Sequence, residues 1–101
     1  MIFAILLMDR PGTADLRVKI RPEHRAYLAK RSEQMAFAGP LTSEDGASTL
    51  GSLIVMDFPT RADVDAWLKD EPFTKAGVYE KPIIHVFNNM WEQKVGFPPA
   101  Q

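Results

Sequence analysis

The stretch Leu50–Phe58, LGSLIVMDF, decides the architecture of this chain. It is rich in aliphatic and β-branched residues and is bounded by a polar turn and by Pro59, which reads as a strand. Side chains alternate between the two faces of a strand, so Leu50, Ile54, Met56 and Phe58 fall on one side and Leu53 and Val55 on the other. Both sides are apolar, so the sheet holding this strand needs cover on both faces.

The neighbouring segments follow from it. Upstream, Asp45-Gly46 within SEDGAS is a strong hairpin signal and ties the strand back to MAFAGPLTS, Met35–Ser43, a second strand with an irregular end. Downstream, PTRADVDAWLKDEP predicts a helix with Thr60 as N-cap, Asp63 in a capping-box position and Val64, Trp67 and Leu68 on the inner face. Pro72 disfavours helical geometry at Glu71, so this helix should end near Asp70, with FTKAG as a short turn. The apolar run Ile2–Met8, closed by DRPG, is the first strand. It is too short to span a bilayer and lacks a basic leader. RPEHRAYL, Arg21–Leu28, opens a helix expected from Pro22 to about Gln34, with Pro22 in the first turn and Tyr27, Leu28 and Met35 on its apolar face. KPIIHVFNNM, Lys81–Met90, is the fourth strand, and the Pro-rich tail Trp91–Gln101 either crosses to a partner chain or stays loose.

The order β-α-β-β-α-β is the ferredoxin-like arrangement, an α+β fold with two helices on one face of a four-stranded antiparallel sheet. At 101 residues it forms one domain, residues 1–101. The other apolar face is expected to be buried in a homodimer packed through the sheet faces, the tail being the alternative cover. A net charge of -1, with 25% charged residues, gives no footprint for nucleic acid or membrane. The chain has no cysteine, which rules out thiol chemistry and favours a cytoplasmic protein. Two histidines 61 positions apart suggest no metal site, and there is no glycine-rich phosphate loop. No cofactor is expected.

His24 stands one helical turn before Leu28, so its ring should point inward. The topology brings Asp9, Asp70 and Glu71 to the same edge of the sheet, and any of them could fix the imidazole for acid/base work. The other reading of His24 is a buried structural histidine. Arg17 and Arg21 border this edge and could hold an anionic substrate group, or be solvated surface arginines. His85 reads as an ordinary sheet residue and Trp67 as core.

The first strand ending in Asp9, RPEH, AGP at Ala38–Pro40, GS at Gly51-Ser52 and EPFTKAGVYE at Glu71–Glu80 together resemble the YCII-related (YciI-like) family over about residues 1 to 87. The resemblance implies a ferredoxin-like subunit of a dimeric α+β barrel and an enzyme built on a histidine and an aspartate, one related member being a dehydrochlorinase of a chlorinated hydroxyquinol. The family histidine corresponds to His24. The acidic-Pro-aromatic motif falls on Glu71-Pro72-Phe73, where many members carry aspartate, so Asp70 or Asp9 stays open as the histidine's partner. The expected activity is isomerase- or lyase-type proton transfer on a small cyclic or aromatic oxygenated substrate, with His24 as acid or base and Arg17, Arg21, Ser52 and Phe73 as substrate contacts. The expected pocket lies between the top edge of the helices and the sheet. Hydrolysis would need an activated nucleophile, for which Ser52 is a faint candidate. Two rival readings are a non-catalytic dimer that binds a small ligand, and a cofactor-free oxygenase.

Overall fold

The computed structural model describes residues 1–92, so the expected tail lies, beyond Glu92, outside the described residues. The elements are β1 (Ile2–Met8), α1 (Ala14–Ala29), a 3-10 turn (Ser32–Gln34), β2 (Met35–Thr42), β3 (Thr49–Asp57), α2 (Arg61–Lys69), α3 (Pro72–Ala76) and β4 (Ile83–Val86). The sheet order is β2-β3-β1-β4 with every neighbouring pair antiparallel, the ferredoxin-like topology. β1 and β3 pair without a break from Ile2 opposite Asp57 to Met8 opposite Gly51, which makes them the centre of the sheet. A Cβ on Gly51 would lie 2.5 Å from the Leu7 carbonyl oxygen, so only glycine lets the strands close at this end. That close approach brings Asp9 and Ser52 together.

One face of the sheet meets the helices. Phe3, Ile5 and Leu7 of β1, Ile54 and Met56 of β3 and Ile84 of β4 form the core with Phe58, Val64, Trp67, Leu68, Phe73, Val78 and Tyr79. Thr60 caps α2 in a complete capping box with Asp63, and Val64, Trp67 and Leu68 face inward. On the other face, Phe37, Ile83 and Phe87 remain 48%, 48% and 43% exposed, so this side is an open apolar surface. Among the described residues no helix is long and apolar enough to cross a membrane.

Four boundaries differ from the sequence reading. α1 begins at Ala14, eight residues before Pro22, and ends at Ala29 rather than Gln34. Pro22 lies inside the helix, where it removes the bond to the Val18 carbonyl. Val18 is 60% exposed and Pro22 is exposed too, so the lost bond falls on the solvent side, where water can replace it. Leu16 and Ile20 hold the early turns against the core, extending the inward line of His24 and Leu28 upstream. FTKAG is mostly helical: Glu71 caps α3, Pro72 starts it, and Gly77 ends it in the left-handed conformation at φ 83°. β4 is confined to Ile83–Val86 because Pro82 precedes it and β1 offers no partner beyond Ile2, which accepts from the Phe87 N–H. β2 ends in a register shift at Leu41/Thr42, the expected irregular end, and carries a second shift near its start.

Candidate functional site

Two carboxylate pairs lie side by side beneath α1. In the first, the Arg17 guanidinium donates through Nε to Asp9 Oδ2 at 2.7 Å and through Nη2 to Asp9 Oδ1 at 3.2 Å, and Nη2 also donates to Ser52 Oγ at 2.7 Å. Both side chains of this bidentate pair are over nine-tenths buried. Ser52 Oγ lies 2.9 Å from the Tyr79 hydroxyl, and an isolated bridge joins the Asp9 and Tyr79 backbones. Burial, above all, pushes the Tyr79 phenol up to about 12, so it keeps its proton at neutral pH. Either hydroxyl can be the donor in the Ser52–Tyr79 bond, and Ser52 lines the neighbouring cleft.

In the second pair, His24 Nδ1 lies 2.5 Å from Glu71 Oε1. Glu71 is fully buried at the N-terminus of α3, where Oε1 also accepts from the Phe73 N–H at 3.1 Å and Oε2 accepts from the Thr74 N–H at 3.0 Å and the Thr74 hydroxyl at 3.1 Å. Both oxygens are thus fully engaged as acceptors, an arrangement that suits the ionised carboxylate and an Nδ1–H on the imidazole. The His24 ring stacks on Phe73 with centroids 4.0 Å apart and planes 15° apart. Arg17 lies over the same Phe73 ring, 4.8 Å from its centroid, and Tyr79 meets its edge, so Phe73 joins the two pairs.

His24 opens on a cleft of about 270 Å³ between α1 and the edge strand β2 with its central neighbour β3, rather than at the top edge of the helices. Arg17, Arg21, His24, Arg25 and Leu28 line it from α1, Ala38–Pro40 and Ser52 from the strands, and Phe73 from below. Of the residues singled out from the sequence, the cleft therefore gathers His24, Arg17, Arg21, Ser52 and Phe73, with Glu71 behind the histidine. His24 is well inside α1 rather than at its start, because the helix begins so much earlier. Asp9 is not its partner: the guanidinium of Arg17 takes both Asp9 oxygens. Asp70 faces a different surface cleft, beside Tyr27 and Trp67. Arg17 lines the cleft but is held through Nε and Nη2 by Asp9 and Ser52. Ser52 is hydrogen-bonded to Arg17 and Tyr79 and to no histidine or carboxylate, so it is not placed as a nucleophile. His85 is exposed in β4 and remote from the cleft.

Two residues of this neighbourhood carried no reading from sequence. Arg25 follows Arg21 by one helical turn, a spacing visible once the helix is drawn through Pro22. Tyr79 follows the left-handed Gly77 in an irregular segment with no periodic pattern, and its place depends on pairing with Asp9 seventy positions away. Among the described residues no group of three or more His, Cys, Asp or Glu side chains gathers as a metal site.

The fold and the chain have relatives. The solved structure of 5-chloro-2-hydroxyhydroquinone dehydrochlorinase (TftG) from Burkholderia phenoliruptrix, in complex with 2,5-dihydroxybenzoquinone, superposes with a TM-score of 0.80 at 29% identity, covering 87% of this chain and 94% of that one. An antibiotic biosynthesis monooxygenase shares the fold at a TM-score of 0.53 and 12% identity, covering 89% of this chain and 99% of that one. Protein YciI of Escherichia coli and an uncharacterised protein of Haemophilus influenzae are each 26% identical over 98 residues, covering 90% of this chain and all of theirs. The model of the YCII-related domain matches residues 1–88, and the chain belongs to that family.

Proposed function

We propose that this chain is a cytoplasmic enzyme of lyase or isomerase type that moves a proton on a small cyclic or aromatic oxygenated substrate. The observation that carries the reading is the His24–Glu71 pair, with its carboxylate sealed in the core and its imidazole lining the cleft. A histidine so held presents Nε2 to a ligand in a fixed direction, and the buried anion stabilises the cation formed when Nε2 takes a proton. Phe73 sets the ring plane by stacking. The 29% identity with TftG, a dehydrochlorinase, supports elimination of HCl as the particular reaction.

For a chlorinated hydroxyquinol the steps balance as follows. His24 moves one hydroxyl proton to the chlorine-bearing carbon, giving the ketone tautomer. It then accepts a second hydroxyl proton while the C–Cl pair leaves with chloride and the O–H pair becomes a carbonyl. Net loss is one proton and one chloride, with no oxidant or metal required. A homodimer closed through the open sheet face belongs to the same reading, supported by the exposed Phe37, Ile83 and Phe87. Chloride release from 5-chloro-2-hydroxyhydroquinone tests the activity. The wild type is expected to release chloride, and His24→Asn to lose at least about a hundredfold in kcat while still binding 2,5-dihydroxybenzoquinone. Equal rates for the two proteins would overturn the assignment, and ligand binding with no chloride release by the wild type would leave a binding protein instead.

A further inference from the structure

Arg17, Arg21 and Arg25 follow one another at single-turn spacing along α1 and all three line the cleft beside His24. Their situations differ. Arg17 is neutralised by Asp9, whereas among the described residues neither Arg21 nor Arg25 lies within ion-pair distance of a carboxylate. Nor does the helix supply one: the positions three and four away from Arg21 hold Arg17, Val18, His24 and Arg25, and those from Arg25 hold Arg21, Pro22, Leu28 and Ala29. Like charges at this spacing disfavour the helix. Arg21 and Arg25 are thus an unfavourable, uncompensated pair of cations along the wall of the candidate site.

The remaining polar groups facing that space add no negative charge. The Ser52 hydroxyl accepts from Arg17 and shares a hydrogen bond with Tyr79, and Thr49 brings a second neutral hydroxyl. No carboxylate of the described residues lines the cleft, since Glu71 is sealed behind His24 and Asp9 behind Arg17. Apart from the imidazole and the backbone, the walls are guanidinium groups, the neutral hydroxyls of Ser52 and Thr49, and apolar surface.

We propose that the substrate is an organic oxyanion, a carboxylate or a ring enolate, gripped by Arg21 and Arg25 at the mouth of the cleft while the Ser52 hydroxyl, which lines the same cleft, meets a second oxygen. Planar guanidinium forks match a delocalised oxyanion through paired hydrogen bonds, and two neighbouring forks relieve their mutual repulsion by sharing one. The inference rests on the reading of this cleft as the substrate site and adds the charge class of what enters it. It also separates two arginines of recognition from one of scaffolding.

The test is calorimetric binding of three probes of similar size, 2,5-dihydroxybenzoate (carboxylate), 2,5-dihydroxybenzoquinone (ring enolate) and hydroquinone (neutral), to the wild type and to the Arg21→Gln/Arg25→Gln double variant. Both positions are at the surface, so the variant is expected to fold. The wild type should bind at least one anion about tenfold or more tightly than hydroquinone, the scale of a charge-assisted hydrogen bond. The double variant should erase that preference, and added salt should weaken the anion but not hydroquinone. Which anion wins distinguishes carboxylate from enolate recognition. Hydroquinone binding as tightly as both anions, no anion binding at all, or an anion preference that survives in the double variant would each overturn the proposal. Chloride release stays independent: a wild type that eliminates chloride but shows no anion preference refutes this inference alone, while one that binds anions selectively and turns nothing over refutes the enzyme and leaves the recognition.

Discussion

The Asp9–Arg17 pair and the Glu71–His24 pair lie within one ring's width of each other, joined through Phe73, and are built from the same parts: a buried carboxylate and a basic partner on α1. Arginine does not release its proton in a protein, so the first pair can only hold β1, β3 and α1 together. Histidine exchanges its proton near neutral pH, so the second pair, with a comparable geometry, can do chemistry. Exposure runs the same way. Arg17 is over nine-tenths buried with Nε and Nη2 engaged, whereas His24 leaves 13% of its side chain toward the cleft while its carboxylate is fully covered. Identity of the basic side chain, more than burial or distance, separates scaffold from candidate catalyst.

The contrast breaks most sharply at the cations themselves. Replacing Arg17 with Met strands the Asp9 carboxylate without its partner, and we expect a loss of about 3–5 kcal/mol in unfolding free energy, read by urea denaturation. Replacing both Arg17 and Asp9 with apolar residues of similar size should recover much of that loss. His24→Asn should lose far less stability, so a larger denaturation shift at His24 than at Arg17 would invert the assignment.

A second test uses pH. The Tyr79 phenol rises from its ordinary 10 to about 12, mostly through burial. The folded state therefore keeps a proton that the unfolded state loses first, and stability is full below pH 10 and falls between pH 10 and 12. The expected loss is roughly 2–3 kcal/mol, and Tyr79→Phe should flatten that part of the profile. An unchanged alkaline limb in Tyr79→Phe would show that Tyr79 does not tie the first pair to Ser52 as described.

Smaller effects sharpen the boundary between the pairs. Gly77 ends α3 at φ 83°, and Gly77→Ala should cost about 1 kcal/mol in thermal or urea unfolding through backbone strain. Because α3 carries Phe73 and is capped by Glu71, the same variant is expected to lower turnover more than its stability change explains, while Asp9, just after β1, and Arg17, on α1, stay in place.

The topology was legible because strand pattern and turn chemistry agreed: the two-faced Leu50–Phe58 run, Asp45-Gly46 and the Thr60–Asp63 capping box all occur where the structure puts them, within a residue at strand ends. The inward direction of His24 was legible for the same reason, since it needs only the helical step to Leu28. The start of α1 was not. Pro22 fits a first turn so well that it outweighed Leu16 and Ile20, which continue the apolar line upstream. The partner of His24 was undecidable among Asp9, Asp70 and Glu71, since the choice depends on which acid Arg17 captures and which way Asp70 turns at the end of α2, both matters of tertiary contact. Tyr79 depends on a non-local bridge and left no local trace.

The most direct test of the claim that Glu71 poises His24 for proton transfer is the imidazole tautomer, read by long-range proton–nitrogen NMR on the wild type at a pH where the ring is neutral. The account predicts the proton on Nδ1, donated to Glu71, with Nε2 bare and its resonance moved by 2,5-dihydroxybenzoquinone. A proton on Nε2 and a bare Nδ1 would mean that Glu71 holds the proton of the pair, and that His24 has no free base to offer the cleft.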